Sequence, residues 1–503
     1  MKNKVFLILF AIQFSICCNI FGQNNWNWVG QNNDEKVIYF GVKVLNNKIY
    51  TVSSTINWSE SIPYVNSNLI HFNYQGNIIY DSICGNLNQT FVPYTNVRTN
   101  YNLNSFCIPV VFRHPNNPIL GEKPGILLLD TLFNTKLSLI IPSDSNINVS
   151  SISYFNKFGP NKLILLKRVN AVNSGNVSVL SILDTLGFEQ ESKVINFQNY
   201  SMGSSTFHQH ENYYFMISNK IFQNNINDPS NLVIYKFDLL LNIVDSFRTT
   251  TNNWYYSNSS AVFPNGDFVV GGVYSDAWEP DGDLWQKKYL RKFDKNLNII
   301  WTKYFGKRNL NTGITKLMIS SDGNIAGTCI DGLTEILPNG DTIGNVIGCI
   351  FKFTADGDSV WMKKYQAIDD PLNSEINELL DLDEMPDGGF VACGKVVAFN
   401  PDRQRGWVMR VDANGCLTPE CLNSTKEVEE PSQFLTYPNP TNDILNITNP
   451  LQISTYQIFQ LDGKLITQGN NFPIDISKFT NGIYFLKITT KNNQIINQKI
   501  IKN

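Results

Sequence analysis

Two short stretches concentrate groups able to hold a ligand. Trp254, Tyr255 and Tyr256 form one; Trp278, Glu279, Asp281, Asp283 and Trp285 form the other. Aromatic faces beside carboxylates stack on, and hydrogen-bond to, sugars or peptides. The carboxylates also offer acid/base chemistry, because glycoside hydrolysis uses two of them roughly 5–10 Å apart. The competing reading is that the rings pack the fold and pin a long loop. His208 and His210 stand at i and i+2, so an extended strand puts both on one face. Only Glu211 lies near them, and it points to the opposite face, which leaves a plain polar strand face as the expectation rather than a metal. Asp281-Gly282-Asp283 and Asp381-Leu382-Asp383 are too short to make a calcium loop, which gathers several oxygens at close spacing. The sequence shows neither a Gly-rich phosphate loop nor a G-x-S-x-G elbow, and its Cys and His are not spaced for zinc. The expectation is therefore no cofactor, no metal and no assigned catalytic residue.

What must position these groups follows from composition. The chain has 503 residues, too many for one ordinary domain. Charged residues make up 17% and the net charge is −3, which excludes a disordered polyelectrolyte and gives nucleic acid no basic surface. Asn is heavily used, alongside 21 Tyr and 32 Phe. Asn and Gly stop strands; Tyr, Phe, Ile and Val build them. An all-β protein with many turns is expected. No segment past the leader approaches the roughly 20 apolar residues of a membrane helix.

Residues 1–22 read as an export signal. Lys2 and Lys4 precede an apolar run from Val5 to Cys18, and cleavage is expected near Gly22–Gln23. A lipoprotein anchor at Cys17 or Cys18 is the alternative, but Phe14-Ser15-Ile16 makes a poor lipobox. Seven cysteines follow the leader: Cys84, Cys107, Cys329, Cys349, Cys393, Cys416 and Cys421. Export permits disulfides. Cys416 and Cys421 are the nearest pair in sequence and the disulfide candidate. Cys329 and Cys393 lie in apolar strand patterns, where a buried inert thiol is expected.

One phrase recurs: an apolar strand, an Asp or its equivalent, a turn of Asn, Gly or Asp, then a strand that often carries Trp. Its Asp position falls at Asn73, Asp130, Asp184, Asp238, Asp294, Thr354 and Asp412, spaced by 54 to 60 residues. A second phrase falls midway, clearest as FPNGDFVVGG at Phe263, SSDGNIAGTC at Ser320 and MPDGGFVACG at Met385. Asn-Gly, Asp-Gly and Gly-Gly between apolar runs signal hairpins. The second copy, near Phe106 to Phe112, has no clean turn and is placed by spacing alone. Two hairpins per period make four strands, and such sheets bury both faces only when stacked. The expectation is a seven-bladed β-propeller over residues 23–422; an open solenoid or paired sandwiches are the alternatives. If strands a to d run outward from the axis, the d–a and b–c loops share one rim. The two aromatic stretches of the fifth blade then meet there.

The later repeats resemble a bacterial propeller repeat with the pattern D-G-G-[FY]-[IV]-x-x-G followed by W-x-x-[KR]-x-D-x-x-G-x-x-x-W. MPDGGFVACG and GWVMRVDANGCL fit closely, and the first three blades only loosely. Such repeats occur mostly in secreted proteins of unassigned activity, so the resemblance implies the fold.

Residues 423–433, rich in polar and acidic groups with one Pro, read as a linker. Residues 434–503 alternate as strands, with turns at Asp462-Gly463 and Asn481-Gly482, and a small β-sandwich is expected. This module resembles the C-terminal sorting domain of the type IX secretion system of Bacteroidota, in its type A form. The matching residues are Tyr437-Pro438-Asn439-Pro440, Leu461-Asp462-Gly463-Lys464, Ile474-Asp475-Ile476-Ser477, Asn481-Gly482-Ile483-Tyr484 and the closing Lys499-Ile500-Ile501-Lys502. The resemblance implies passage through the periplasm, export by the type IX machinery, and a final place outside the cell or on its surface. The function expected is a non-catalytic binding propeller for a glycan, another surface polymer or a protein. The alternatives are a polysaccharide hydrolase or lyase with Glu279, Asp281 and Asp283 as acid/base groups, and a structural surface component.

Overall fold

The computed structural model describes residues 26–29, 35–45, 48–57, 64–86, 89–93, 100–102, 105–113, 123–130, 135–140, 147–158, 162–171, 175–184, 188–195, 200–202, 206–222, 231–249, 253–275, 286–309, 312–336, 342–368, 374–399, 402–417, 436–447, 453–461, 463–490 and 495–503. All of their regular structure is β. The chain divides into two compact units, residues 1–423 and 424–503.

In the first unit the strands pair as successive antiparallel meanders of four. The first is Glu35–Leu45, Lys48–Asn57, Tyr64–Phe72 and Ile78–Asn86. The third is Ile147–Phe158, Lys162–Ala171, Gly175–Asp184 and Glu189–Ile195. The fifth is Trp254–Val262, Phe268–Ser275, Gln286–Phe293 and Ile299–Asn309. The sixth is Gly313–Ile319, Ile325–Ile336, Thr342–Phe353 and Ser359–Tyr365. The second and fourth have the same plan with an interrupted inner strand: Gln89–Pro93 and Asn100–Asn102 both pair Ser105–Arg113, while Tyr200–Met202 and Thr206–His210 both pair Tyr213–Phe222. Residues 106 to 112 therefore lie in one continuous strand, not at a turn. Successive meanders touch in order, and the inner strand of the seventh touches that of the first, so the meanders are blades of a closed β-propeller.

Closure has a feature that the repeat spacing did not disclose. The seventh blade takes three strands from its own stretch: Glu375–Glu384, Phe390–Phe399 and Asp402–Val411. Its fourth is Trp26–Val29, paired antiparallel with Trp26 opposite Arg410. Trp407 Nε1 donates to Asn27 Oδ1 at 2.6 Å across that seam. The other side of the seventh blade is latched to the first. Val42 N donates to Asp381 Oδ2 at 3.0 Å, and Val44 N to Asp383 Oδ2 at 2.6 Å. Lys316 Nζ lies 2.6 Å from Asp381 Oδ1, and Lys43 Nζ lies 3.0 Å from Asp383 Oδ1. The Asp381-Leu382-Asp383 pair thus closes the ring with backbone and ammonium partners.

The aligned Asp positions share one turn. Backbone N–H of Asn73, Asp184, Asp238, Asp294, Thr354 and Asp412 each donates to the carbonyl four residues on. At Asp294 the side chain completes the turn, accepting from Asn296 N and Asn298 N at 2.8 Å each. The closing glycine of the midway phrase has a packing cause. A Cβ on Gly272 would meet Tyr256 O at 1.9 Å, and one on Gly394 would meet Glu378 O at 1.9 Å.

The fourth blade packs the half-buried His208 against aromatic rings and shields both its ring nitrogens. Its ring stacks on Phe215 at 5.0 Å and leans on Phe268 at 4.9 Å. Neither ring nitrogen has a hydrogen-bond partner among the described residues. Burial first, and the neighbouring His210 second, lower its pKa to about 3. His210 faces Glu211 Oε1 at 3.5 Å. Among the described residues no three His, Cys, Asp or Glu gather as a metal site.

The second unit pairs Thr436–Tyr437, Ile444–Ile447 and Ile474–Asp475 in one sheet. Leu465–Gly469, Ile453–Gln460, Gly482–Thr490 and Ile495–Lys502 form the other. Leu445, Ile458, Ile476, Leu486 and Ile500 share its own apolar core.

Two outcomes test this account. Asp381→Ala strands the Val42 N–H and removes the carboxylate facing Lys316, and should cost about 3 kcal/mol. A urea midpoint unchanged from wild type would contradict the latch. For His208, the folded pKa lies below the unfolded value of about 6.5, so the unfolded state takes up the proton first. Its contribution is complete above that pH and is lost as pH falls toward 3. Between pH 7 and 4.5 the loss should be about 3 kcal/mol. His208→Leu should flatten that slope in urea titrations at the two pH values; an equal slope would refute it.

Candidate functional site

The fifth blade brings its aromatic groups to one rim by strand register. Trp254 opens the inner strand and pairs with Ser275, the last residue of the second strand. The third strand begins at Gln286, opposite Asn309 at the end of the outer strand. The segment 276–285 therefore leaves and re-enters the blade at the end where Trp254 sits. Trp278, Glu279, Asp281, Asp283 and Trp285 lie outside the described residues. Trp254, Tyr255 and Tyr256 belong to the strand itself rather than to the preceding loop. Three consecutive aromatics suit a pleated strand, and their side chains alternate faces.

That alternation separates their roles. Tyr255 is buried against the fourth blade with Ile217, Leu232 and Phe268. It is a packing residue in part. Trp254 and Tyr256 are half-buried on the other face. Tyr255 also anchors a polar aromatic group that sequence reading missed. Its hydroxyl lies 2.8 Å from the Tyr304 hydroxyl. Its ring meets Tyr289 edge-on at 5.3 Å and Tyr274 at 5.0 Å. The Arg291 guanidinium sits over Tyr255 at 4.6 Å and is fixed by Nε donating to Thr302 Oγ1 at 2.8 Å. Asn253 Nδ2 donates to the Tyr274 hydroxyl at 3.2 Å. Tyr304 opens to solvent with 42% exposure. Burial, then the Tyr255 hydroxyl, push the Tyr304 phenol above the ordinary tyrosine range. Burial does the same to Tyr289. These phenols stay neutral at physiological pH and can donate or accept hydrogen bonds, but they are poor bases. The sequence signal was present as Tyr255, Tyr274, Tyr289 and Tyr304; only the register shows that they converge.

The other face of the blade is ionic. Lys288 is fully buried and pairs with Asp331, which also faces Lys364 Nζ at 3.1 Å. Lys288 Nζ donates to Thr312 Oγ1 at 2.9 Å. Burial opposes the Lys288 charge and the paired Asp331 carboxylate favours it, and the ammonium is held above the usual lysine range. Gly306, at φ +75°, leaves the room this side chain needs: a Cβ there would meet Lys288 at 2.8 Å. Cys416 is buried, and Cys421 lies outside the described residues.

In the second unit the sorting-signal residues form a clasp. Asn439 Nδ2 donates to Lys499 O at 2.7 Å, and Asn439 Oδ1 accepts from Ile501 N at 2.8 Å. Thr441 N donates to Ile501 O at 2.9 Å. The Tyr437–Pro440 motif is thereby tied to the closing strand. Both its X-Pro bonds are cis. Tyr437 and Lys499 are exposed. Tyr484 is buried, its hydroxyl donating to Thr480 O at 2.7 Å. Gly463 and Gly482 take φ of +85° and +156°, which favour glycine. Asp462 lies outside the described residues.

Among solved structures the chain is similar to a polysaccharide lyase, at 10% identity over 77% of this chain and 91% of that one, with a TM-score of 0.42. It is similar to the β-propeller domain of the Trilobed protease from Pyrococcus furiosus, at 12% identity over 77% and 97%, with a TM-score of 0.41. A Pyrococcus horikoshii acylaminoacyl peptidase gives 8% identity over 84% and 57%, with a TM-score of 0.41. No curated protein sequence matches the chain. Residues 435–503 match the family model of the secretion system C-terminal sorting domain. With Asn439 binding the motif to the closing strand, the second unit is such a domain, and it marks the propeller as cargo for export by the type IX secretion system.

Proposed function

We propose that this chain is a surface-displayed or released binding propeller whose ligand is an extracellular glycan or similar polymer, held on the fifth-blade rim. The observation that carries this reading is the register of Trp254 against Ser275. It puts Trp254 at the strand end from which the segment bearing Trp278, Trp285 and three carboxylates departs. Beneath it lie the Tyr255–Tyr304 hydroxyl pair and Arg291, offering hydrogen bonds without a strong base. Aromatic rings with neutral hydroxyls suit stacking on sugar rings more than proton transfer. Export places that surface where such polymers occur.

The proposed organisation is a signal at 1–22, a seven-bladed propeller at 23–422, a linker at 423–433 and the sorting domain at 434–503. Passage runs through the periplasm. A Cys416–Cys421 disulfide would close the end of the seventh blade.

Binding is tested with residues 23–432 on a panel of polysaccharides, by affinity electrophoresis and calorimetry. Trp254→Ala with Trp278→Ala should weaken binding at least about tenfold, since each stacked ring contributes roughly 1 kcal/mol. Binding that survives both changes places the ligand elsewhere. Bond cleavage in the same panel favours the hydrolase or lyase reading instead. Removing residues 434–503 should leave the propeller inside the cell envelope when fractions are compared by immunoblot; undiminished surface display would overturn the sorting role.

A further inference from the structure

Two cysteines of the sixth blade face each other. Cys329 lies in strand Ile325–Ile336 and Cys349 in strand Thr342–Phe353, and they are direct partners in an antiparallel register that runs without a break from Ile325↔Phe353 to Ile336↔Thr342. Direct partners in such a ladder project their side chains from the same face. Both thiols are fully buried in one apolar cluster with Ile314, Phe351 and Phe305. The two thiols are close enough for Cys329 to raise the Cys349 pKa, and Cys349 Sγ donates to Ile347 O at 3.7 Å.

The hydrogen-bond phase fixes the spacing. Ser320 N donates to Asn324 O at the turn before the first of these strands. Backbone groups alternate sides along a strand, so five residues on from Asn324, Cys329 points its N–H and C=O toward the strand of Cys349. Thr354 N donates to Asp358 O at the turn after the second. The same alternation, five residues back, points Cys349 toward Cys329. The pair is therefore the hydrogen-bonded kind, with Cα atoms about 5.5 Å apart. Disulfides span Cα distances of about 4.4–6.8 Å, most often near 5.5–6 Å. Closing the bond asks an approach of roughly 1–2 Å from the Cβ atoms.

We propose that the mature protein carries a Cys329–Cys349 disulfide across the centre of the sixth blade. The inference rests on the reading that export takes the chain through an oxidising compartment. The chemistry is thiol–disulfide exchange: one thiolate attacks the disulfide of an oxidoreductase or of oxidised glutathione. The second cysteine then displaces that partner, which leaves as two thiols carrying the two electrons, while the two cysteines lose two protons. The bond must form before the blades close. Once folded, the site is dry, and contact with Cys329 together with burial holds the Cys349 thiol far above the range in which it ionises. The bond is accordingly structural, shielded from reductants until the blade opens.

The sequence makes the test direct. Trypsin cuts after Lys316 and Lys352, and the peptide Leu317–Lys352 holds both cysteines and no other. Protein recovered from outside the cell is denatured with N-ethylmaleimide, digested and weighed. The expected peptide carries no adduct, is two hydrogens lighter than the reduced form, and stays in one piece when Glu335 is cleaved until a reductant is added. Two adducts overturn the proposal for the native protein. A second arm refolds the purified chain in a glutathione redox mixture. Two adducts there as well put the fault in the geometry. A bond formed in this arm but missing outside the cell puts it in the export route. Cys329→Ala/Cys349→Ala should melt at the temperature of the reduced protein; melting with the oxidised protein would also count against the bond.

Discussion

The constraint on which the propeller depends is a bulge. Inner strands break register near their centres, at Tyr39/Gly41, Ser257/Ser259, Ile314/Lys316 and Leu379/Asp381. A bulge bends a strand and frees backbone groups from the ladder. Near the axis those groups are buried, and an unpaired one costs about 1–3 kcal/mol. Each is answered by the adjoining blade. Asn219 Oδ1 accepts from Ser257 N at 2.7 Å, Ser259 Oγ from Leu317 N at 2.7 Å, and Asp381 Oδ2 from Val42 N at 3.0 Å. Thr315 Oγ1 donates to Leu379 O at 2.7 Å. The chain of partners runs from the fourth blade through the seventh and on to the first. The bulges that curve the strands toward the axis thus create the demand that joins blade to blade.

Away from the axis a second set of contacts stiffens one rim. Lys236 Nζ donates to Lys295 O, Lys292 Nζ to Ala355 O and an Arg410 nitrogen to Tyr74 O, each reaching the turn of the next blade. Trp301 and Trp361 do likewise, giving their indole N–H to Ala355 O and Ala413 O. These are the [KR] and Trp positions of the repeat phrase. Their recurrence is explained by stapling neighbours, without appeal to a ligand. The opposite rim has Trp254, the tyrosine group and the longer connections. A scaffold fixed on one side can vary on the other, which is where binding groups are usually carried.

The fold was legible because its local rules recur. Asp294, Asp238 and Asp412 close the same turn, and Gly272 and Gly394 meet the same carbonyl, so spacing alone located hairpins. The fourth strand of the seventh blade was not legible. Trp26–Val29 is short, and nothing local tells a four-residue strand which sheet it will join; partners such as Asn27 and Trp407 are chosen by tertiary closure. His208 was misjudged for a related reason. Its i, i+2 relation to His210 places both on one face, but whether that face meets water or Phe268 depends on the next blade. At the rim, Trp254, Tyr255 and Tyr256 were found by type. Tyr289, Tyr304 and Arg291 were not, because cross-strand register, not sequence proximity, brings them to Tyr255.

The two units divide the demands of folding. Ring closure joins residues 26–29 to 402–411, so the loop entropy of nearly the whole first unit must be met before the seventh blade is complete. Contacts of such range form late, and until then the bulged inner strands expose their unpaired groups. The sorting domain has no such requirement. Its core and the Asn439 clasp lie within residues 435–503, and among the described residues its hydrogen-bond partners are at most 62 positions apart, as with Ile501 and Asn439. A tail that folds on local contacts can present its signal while the propeller is still closing. A signal built from the ring's own seam, where Asn27 and Asp381 act, would have had to wait for the last strand.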